Sequence, residues 1–491
     1  MTASTATNSS SVKKLPILTI TILGAFFTIF NQTTMTVALP TLMDAFGVLP
    51  ATGQWLTTGY MLVNGIFIPI TGYLMRRFTT RELFLGSMSV FLIGTIVAAA
   101  APSFAVLLAG RLIQAASTGI TMPLLMNVVL SLFPPEKRGT AMGTVGLAVI
   151  FAPAIGPALV GYVLDIFPWQ ALFYGMIPII AVIIVCSFFF LENVTKTSKT
   201  KLDTTSLMLS TIGFSALLYG CSVAGNHGWT NQTVIVSLVA GGVAIGLFVR
   251  RQLLAGDPFL DLGAFKYTMF SLTTVINCTV TVLMYADMIL LPLYLQNARG
   301  FTAMESGVLM LPGALLMGLL NPAVGKLFDR FGAKWLSVTG ISIVLATTYT
   351  FTDLSASTSY SVLVLMFAGR RIGMALFLMP IQTAGLNQLP QALHAHGTAI
   401  SNTAKQVAAA IGTAWLITIM TARTEDHLDI LAQSGDLTEA QLATEAAIQG
   451  INDAYFAMLI FGVISLALSF FIKRVPAADY TEEKDKRAAS A

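Results

Sequence analysis

The 491-residue sequence is short of charge: 10% of its residues are Asp, Glu, Lys or Arg, against 55% hydrophobic. A soluble domain carries roughly 25% charged residues, so composition alone excludes a water-soluble enzyme or binding module. With a mean hydropathy of +0.78, the chain reads as an all-α polytopic membrane protein. Cysteine is scarce too. Cys186, Cys221 and Cys278 each lie alone in an apolar run, so neither a disulfide framework nor a metal site follows. No GxxxxGK[ST] phosphate loop occurs, which removes that route to nucleotide energy, and the lack of HExxH and GxSxG leaves no recognisable hydrolase site. No cofactor is called for. Basic residues are dispersed over short segments, not gathered in a stripe, so nothing points to nucleic-acid binding. Residues 1–11 are polar without a cleavage pattern, and the first apolar run is too long for a signal peptide; we expect it to be retained.

What the chain has in abundance is long apolar runs. Runs long enough to span a bilayer, about 18 residues or more, place helices near 15–40, 54–75, 83–101, 103–131, 139–162, 169–191, 204–224 and 231–254, then near 268–297, 303–327, 334–352, 359–389, 397–422 and 452–474. That makes fourteen. Lys and Arg, which concentrate on the cytoplasmic side, check the count. With the N-terminus inside, twenty-one of the 27 fall in inner segments, from Lys13 and Lys14 through Lys196, Lys199 and Lys201 to Arg474, Lys484, Lys486 and Arg487. Only Arg299 and Arg423 fall outside, and Arg111, Arg370, Arg371 and Lys405 lie within helices. A miscounted helix would invert every later loop and spoil this asymmetry. Both termini are therefore expected in the cytoplasm. The loop from Arg423 to Asp453 is then external, and its EAQLATEAAIQ run is expected to form a short helix of its own.

The two halves repeat. AGRLI at 109–113 answers AGRRI at 368–372, MP at 122–123 answers MP at 379–380, and GTA at 139–141 answers GTA at 397–399, at offsets of 259, 257 and 258. Upstream, GYLMRRF at 72–78 answers GKLFDRF at 325–331. The duplicated unit is six helices, and parallel six-helix repeats around a central cavity are the architecture of a secondary transporter. The expected organisation is a tail (1–14), a six-helix bundle (15–191), an inserted helix pair (192–267), a second bundle (268–474) with an external loop at 423–451, and a second tail (475–491).

Gly139 to Gly161, GTAMGTVGLAVIFAPAIGPALVG, has no ionisable side chain but five glycines and two prolines. In lipid such a segment stays helical where it can, bends at Pro153 and Pro157, and lets a neighbour approach its small residues. It reads either as a packing seam in a bundle that must move or as an ordinary glycine-rich span.

With these motifs in hand the chain resembles the major facilitator superfamily, and within it the fourteen-helix drug:proton antiporters of the EmrB/QacA type. APAIGPALVG at 152–161 looks like the antiporter motif, which assigns Pro153, Gly156, Pro157 and Gly161 to it. AGRLIQA at 109–115 and NQTTMTVALP at 31–40 resemble the family's helix 4 and helix 1 motifs. The loop signature and its repeat imply a cytoplasmic gate of Gly72, Arg76, Arg77, Gly325, Asp329, Arg330 and Gly332. QWLTTGYML, LLPLYLQNARG, GLNQLP and HGTAISNT resemble the lincomycin-resistance type of multidrug exporter of Gram-positive bacteria. Two positions depart from the pattern. Asn31 stands where the family's helix 1 motif begins with an acid, and Arg76 stands where the first loop signature has one, so capping of a partner helix is expected from Asp329 alone.

Ionisable groups inside a bilayer are costly and therefore functional candidates. Of 23 acids only Asp287 lies well within a predicted helix. It could exchange a proton for a cation, sit partly hydrated near the external end, or serve as fixed partner to a helix cation. Arg111 corresponds to an arginine that the resemblance links to proton transfer; being permanently charged, it would tune a carboxylate or serve as a structural hub. Asn31, Gln32, Asn64, Gln114, Asn277, Gln382, Asn402 and Gln406, with Met284 and Tyr285, are candidate cavity residues, each with interhelical hydrogen bonding or packing as the alternative. Lys405 is expected near the cytoplasmic mouth. His394 and His396 are placed on a loop, where a metal role is conceivable and a structural one favoured. The reading is a plasma-membrane drug:proton antiporter exporting hydrophobic, often cationic small molecules, for which a monomer suffices; the alternative is an exporter or facilitator of an endogenous amphiphile or lipid precursor.

Overall fold

Without water to satisfy it, a bilayer-spanning backbone must bond to itself, and a helix does so segment by segment. The computed structural model of the protein accordingly has helices and no strand among its described residues, 14–48, 50–53, 55–194, 203–256, 258–433 and 438–473. Lys13, Lys196, Lys199, Lys201, Arg474, Lys484, Lys486 and Arg487 lie outside the described residues, as does most of each tail. The spans are α1 (Lys14–Phe46), α2 (Trp55–Arg77), α3 (Thr80–Ala99), α4 (Phe104–Leu132), α5 (Arg138–Ile166), α6 (Met176–Phe190), α7 (Thr204–His227) and α8 (Gln232–Leu254), followed by α9 (Thr268–Leu293), α10 (Ala303–Phe331), α11 (Ala333–Thr350), α12 (Tyr360–Gln388), α13 (His394–Ala432) and α14 (Glu439–Ser469). Among the described residues thirteen segments are both long and apolar enough to cross a membrane. The fourteenth, glycine-rich α5, has 29 residues, about 43 Å at 1.5 Å each.

Three elements differ from expectation. The loop carrying EAQLATEAAIQ forms no separate helix; those residues are the opening turns of α14, begun by a Thr438/Gln441 capping box. On its other side α13 runs 39 residues, well past the expected 422. His394 and His396 belong to the first turn of α13 and are buried there. The helix, with no proline between 394 and 432, outlasts the hydropathy that marked the membrane edge.

Helix ends sort into two faces. At one, Lys14 lies over the Phe133 ring, Arg81 bonds to Asn193, Arg251 pairs twice with Asp203 at 2.8 and 2.9 Å, and Arg138 reaches Asn387. The paired guanidinium holds the Asp203 carboxyl well below the usual carboxylate range. We call this the basic face. The opposite face holds Arg299, on the Thr358 carbonyl, and the Arg423–Asp453–His427 cluster.

Helices α1–α6 and α9–α14 form the two bundles, which meet chiefly through α5 against α10 and through α2 against α13. The α5–α10 seam is built on glycine. A Cβ on Gly139 would strike Phe328 and the Gly325 carbonyl, one on Gly325 would strike the Gly139 backbone, and one on Gly143 would strike the backbone of Asn321. Gly146 and Gly318 continue the contact, the latter against Phe151. The inserted pair α7–α8 packs outside, on α2 and α13. Its return segment wedges between them at the basic face: Phe259 stacks on Tyr73, Arg76 donates to the Pro258 carbonyl, and His396 Nδ1 accepts from the Asp261 N–H. One apolar cluster there joins Tyr73, Met142, Leu260, Leu389 and Ala399. Closing that face therefore buries surface from both bundles and from the inserted pair.

Overpacking a tight contact costs about 1–3 kcal/mol. Gly325→Leu is expected to lower the unfolding midpoint of the detergent-solubilised protein by several degrees, whereas Gly242→Leu, with nothing within 4 Å of a Cβ, leaves it within a degree or so of its starting value.

Candidate functional site: a glycine seam and two buried charge clusters

At the basic face α10 ends on Gly332, whose φ of +80° suits glycine and turns the chain directly into α11. This stop presents Asp329 to the start of α5. Its carboxylate accepts the Gly139 N–H at 2.8 Å, the Thr140 N–H at 2.9 Å and the Thr140 hydroxyl at 2.6 Å, so an acid from one bundle caps a helix of the other. The repeat-related contact lacks this cap. Gly72 abuts Ala399 and Leu260, while Arg76 turns to the inserted pair's return segment. Arg77 is exposed, and the Arg330 guanidinium lies over the Phe331 ring.

Inside the first bundle Arg111 is fully buried. It donates to Gln114 Oε1 at 3.0 Å and to the Asn31 carbonyl at 3.3 Å, and its guanidinium lies 4.3 Å from the Tyr60 ring centroid. Asn31 Nδ2 donates to the same Gln114 oxygen at 2.9 Å, Gln114 Nε2 reaches Thr95, and the Tyr60 hydroxyl bonds to Thr118. Among the described residues no carboxylate pairs with Arg111.

The second bundle holds a different cluster. Asp287 on α9 is also fully buried, 3.2 Å from Arg371 and 3.7 Å from Arg370, both on α12, and it accepts from the Tyr455 hydroxyl of α14 at 3.4 Å. Arg370 lies over the Phe351 and Tyr455 rings and Arg371 over Phe367. Asp287 is thus enclosed, not hydrated at a helix end, and neither arginine snorkels to an interface. The duplicated AGR motif places a guanidinium on an aromatic ring in both bundles, and only the second copy gains a carboxylate.

The neutral polar residues divide. Asn31 and Gln114 are spent on the Arg111 hub, and Asn64 packs at Gly119. Gln382 accepts from Lys405 Nζ at 3.1 Å, and Gln406 approaches Gly65 of α2. Asn277 is buried, Gln32 and Asn402 are half-buried, and Met284 and Tyr285 are half-buried beside the Asp287 cluster. Of the antiporter motif, Gly156 sits against Thr33 of α1, Gly161 faces open space, and α5 is continuous through Pro153 and Pro157. His394 and His396 are engaged with backbone groups. Sequence reasoning missed Tyr455 and Tyr60, which nothing sets apart from ten other tyrosines. It also put Lys405 too near the mouth, though ten residues lie between it and the start of α13 at His394.

Two repeat-related bundles joined at one face define a secondary transporter of the major facilitator fold. Residues 21–413 match the Major Facilitator Superfamily, and the chain belongs to that family. It is 42% identical to an uncharacterized MFS-type transporter, YhcA, of Bacillus subtilis, over 96% of this chain and 95% of the relative. With the lincomycin resistance protein LmrB of the same organism it shares 41% identity over 96% and 98%. Among solved structures the proton:xylose symporter XylE superposes with a TM-score of 0.65 at 12% identity, covering 96% of this chain and 98% of that one, a likeness of fold. The protein is a multi-pass membrane transporter and not an enzyme.

Removing one member of a buried ion pair costs about 3–5 kcal/mol, because its partner is left uncompensated. Asp287→Asn is expected to lower the thermal midpoint of the solubilised protein markedly, and Asp287→Glu to restore most of the loss. An unchanged midpoint for Asp287→Asn would mean the cluster is not formed.

Proposed function

We propose that the protein is a proton-driven exporter of hydrophobic small molecules that works by alternating access in the plasma membrane, with the basic face in the cytoplasm. The observation that carries this reading is the closure of one face by contacts between the bundles, joined there by the inserted pair's return segment. Asp329 on the α5 terminus and the glycine seam beneath it are contacts a carrier must make and break in each cycle. Support for the cargo comes from likeness to a lincomycin resistance protein along nearly the whole chain.

In this reading the proton acts through Asp287. Uptake of a proton there dissolves the pairing with Arg370 and Arg371 and loosens α9 from α12, while the permanently charged Arg111 holds α1, α2 and α4 in register. Coupling thus rests on one carboxylate, with Arg111 in a positioning role. Gly72, Arg76, Arg77, Gly325, Asp329, Arg330 and Gly332 form the cytoplasmic gate; Gly156 of the antiporter motif lets α1 slide against α5, and Gly139, Gly143 and Gly146 let α10 do so. A monomer suffices for the cycle.

Everted vesicles with an acidic lumen test the reading. Adding hydrophobic antibiotics or dyes is expected to dissipate the pH gradient in proportion to expression, and Asp287→Glu to change the rate more than the amount of folded protein. Absence of any effect over a wide panel would overturn the drug-export reading in favour of an endogenous amphiphile as cargo.

A further inference from the structure

Resting on that reading of the chain as a transporter, we propose that Lys405 is the recognition group of its substrate site and that the preferred cargo carries an acidic group: an amphiphilic organic anion. Lys405 is on α13, half-buried, with its ammonium 3.1 Å from Gln382 Oε1 as its one hydrogen bond among the described residues. No carboxylate there pairs with it.

The site lies where the bundles meet. The residue next in sequence, Gln406, approaches Gly65 of α2, and Met379, one turn from Gln382 on α12, packs against Gly146 of α5 together with Asn321 of α10. Around this point several buried amide atoms have no hydrogen-bond partner: Gln382 Nε2, Asn402 Nδ2, and both Nδ2 and Oδ1 of Asn321. Asn321 is 1% exposed and Gln382 is 6% exposed. Buried polar groups are normally satisfied; here three donors and one acceptor, Asn321 Oδ1, are not, and the Gln382 donor is on the side chain that holds the ammonium, which points to a ligand that accepts hydrogen bonds.

The distribution of charge selects the sign of that ligand. Of the ionisable groups within the spans among the described residues, Arg111, Arg370 and Arg371 are buried cations, Lys405 is a half-buried one, and the one buried acid, Asp287, is already engaged by two guanidiniums and a tyrosine. A cationic compound reaching this point meets the Lys405 ammonium with no free carboxylate to receive it. A carboxylate, phenolate or enolate meets a charge-assisted donor and the amides of Gln382, Asn402 and Asn321. The expectation of cationic cargo follows from the family resemblance, and the absence of an acid at Asn31 already removes one of its supports.

Three probes on one scaffold test this on the purified full-length protein: 1-pyrenebutyrate, its primary amide, and a pyrenylalkyl trimethylammonium salt, with binding read by fluorescence. Wild type is expected to bind the carboxylate about tenfold or more tighter than the ammonium salt, as one charge-assisted contact brings. Lys405→Met should weaken carboxylate binding by about that factor and leave the amide nearly unchanged, while Lys405→Arg should keep the preference for the anion. Unfolding midpoints exclude a folding defect, and Lys405→Gln serves where Met is not tolerated. Tighter binding of the ammonium salt, or carboxylate affinity indifferent to every substitution, overturns the proposal. Binding of none of the three, in protein that still dissipates a pH gradient with other drugs, overturns it as well while leaving the transporter reading in place. Loss of drug-linked gradient dissipation with pyrenebutyrate binding intact would sink the exporter reading alone.

Discussion

The arrangement depends on a carboxylate of one bundle seated on the first turn of a helix of the other. Asp329 can accept three hydrogen bonds from Gly139 and Thr140 only because α5 and α10 come within backbone contact, and they do so only because Gly139, Gly143 and Gly325 lack side chains. In a membrane, where apolar side chains gain little by leaving lipid, such close packing and interhelical hydrogen bonding supply the association. The contact is specific yet small, which suits a joint that must open.

The two bundles handle buried charge differently, though both derive from one repeat. In the first, Arg111 is held by neutral acceptors and a tyrosine ring, with Asn31 contributing an amide and its carbonyl. In the second, a doubled arginine is compensated by Asp287. The basic face shows the same divergence. One crossing is closed by Asp329, and the other, where Arg76 stands, is closed by the inserted pair's return segment through Phe259, Leu260 and the His396 ring. The extra helices thereby take part in closing the basic face.

Much of this was legible in the chain. Hydropathy and the Lys/Arg asymmetry fixed the number of helices, and the repeat offsets paired α4 with α12 and α5 with α13. Capping of a partner helix by Asp329 was expected from the loop signature, and the structure supplies the partner, Gly139 and Thr140 at the start of α5. What escaped was information that no single strand of sequence holds. Asp287 and the AGRRI motif are more than eighty residues apart, so its partners emerge only when α9 packs on α12. Likewise His394 and His396 read as loop residues because α13 begins before the hydropathy rises, while the Leu389 carbonyl and the Asp261 N–H engage their rings in its buried first turn. The depth of Lys405 was readable, since it stands eleven residues beyond the first residue of α13, and its bond to Gln382 of α12 was not.

The central claim is that the bundles rock about the α5–α10 seam, opening one face as the other closes. Electron–electron distance measurements between spin labels test it directly, with one pair at Lys137 and Lys334 on the basic face and one at Phe167 and Met304 on the opposite face. On adding a transported compound, or on changing pH across the working range, the two distances are predicted to change in opposite senses. Distances that stay fixed, or that lengthen together, would contradict the account.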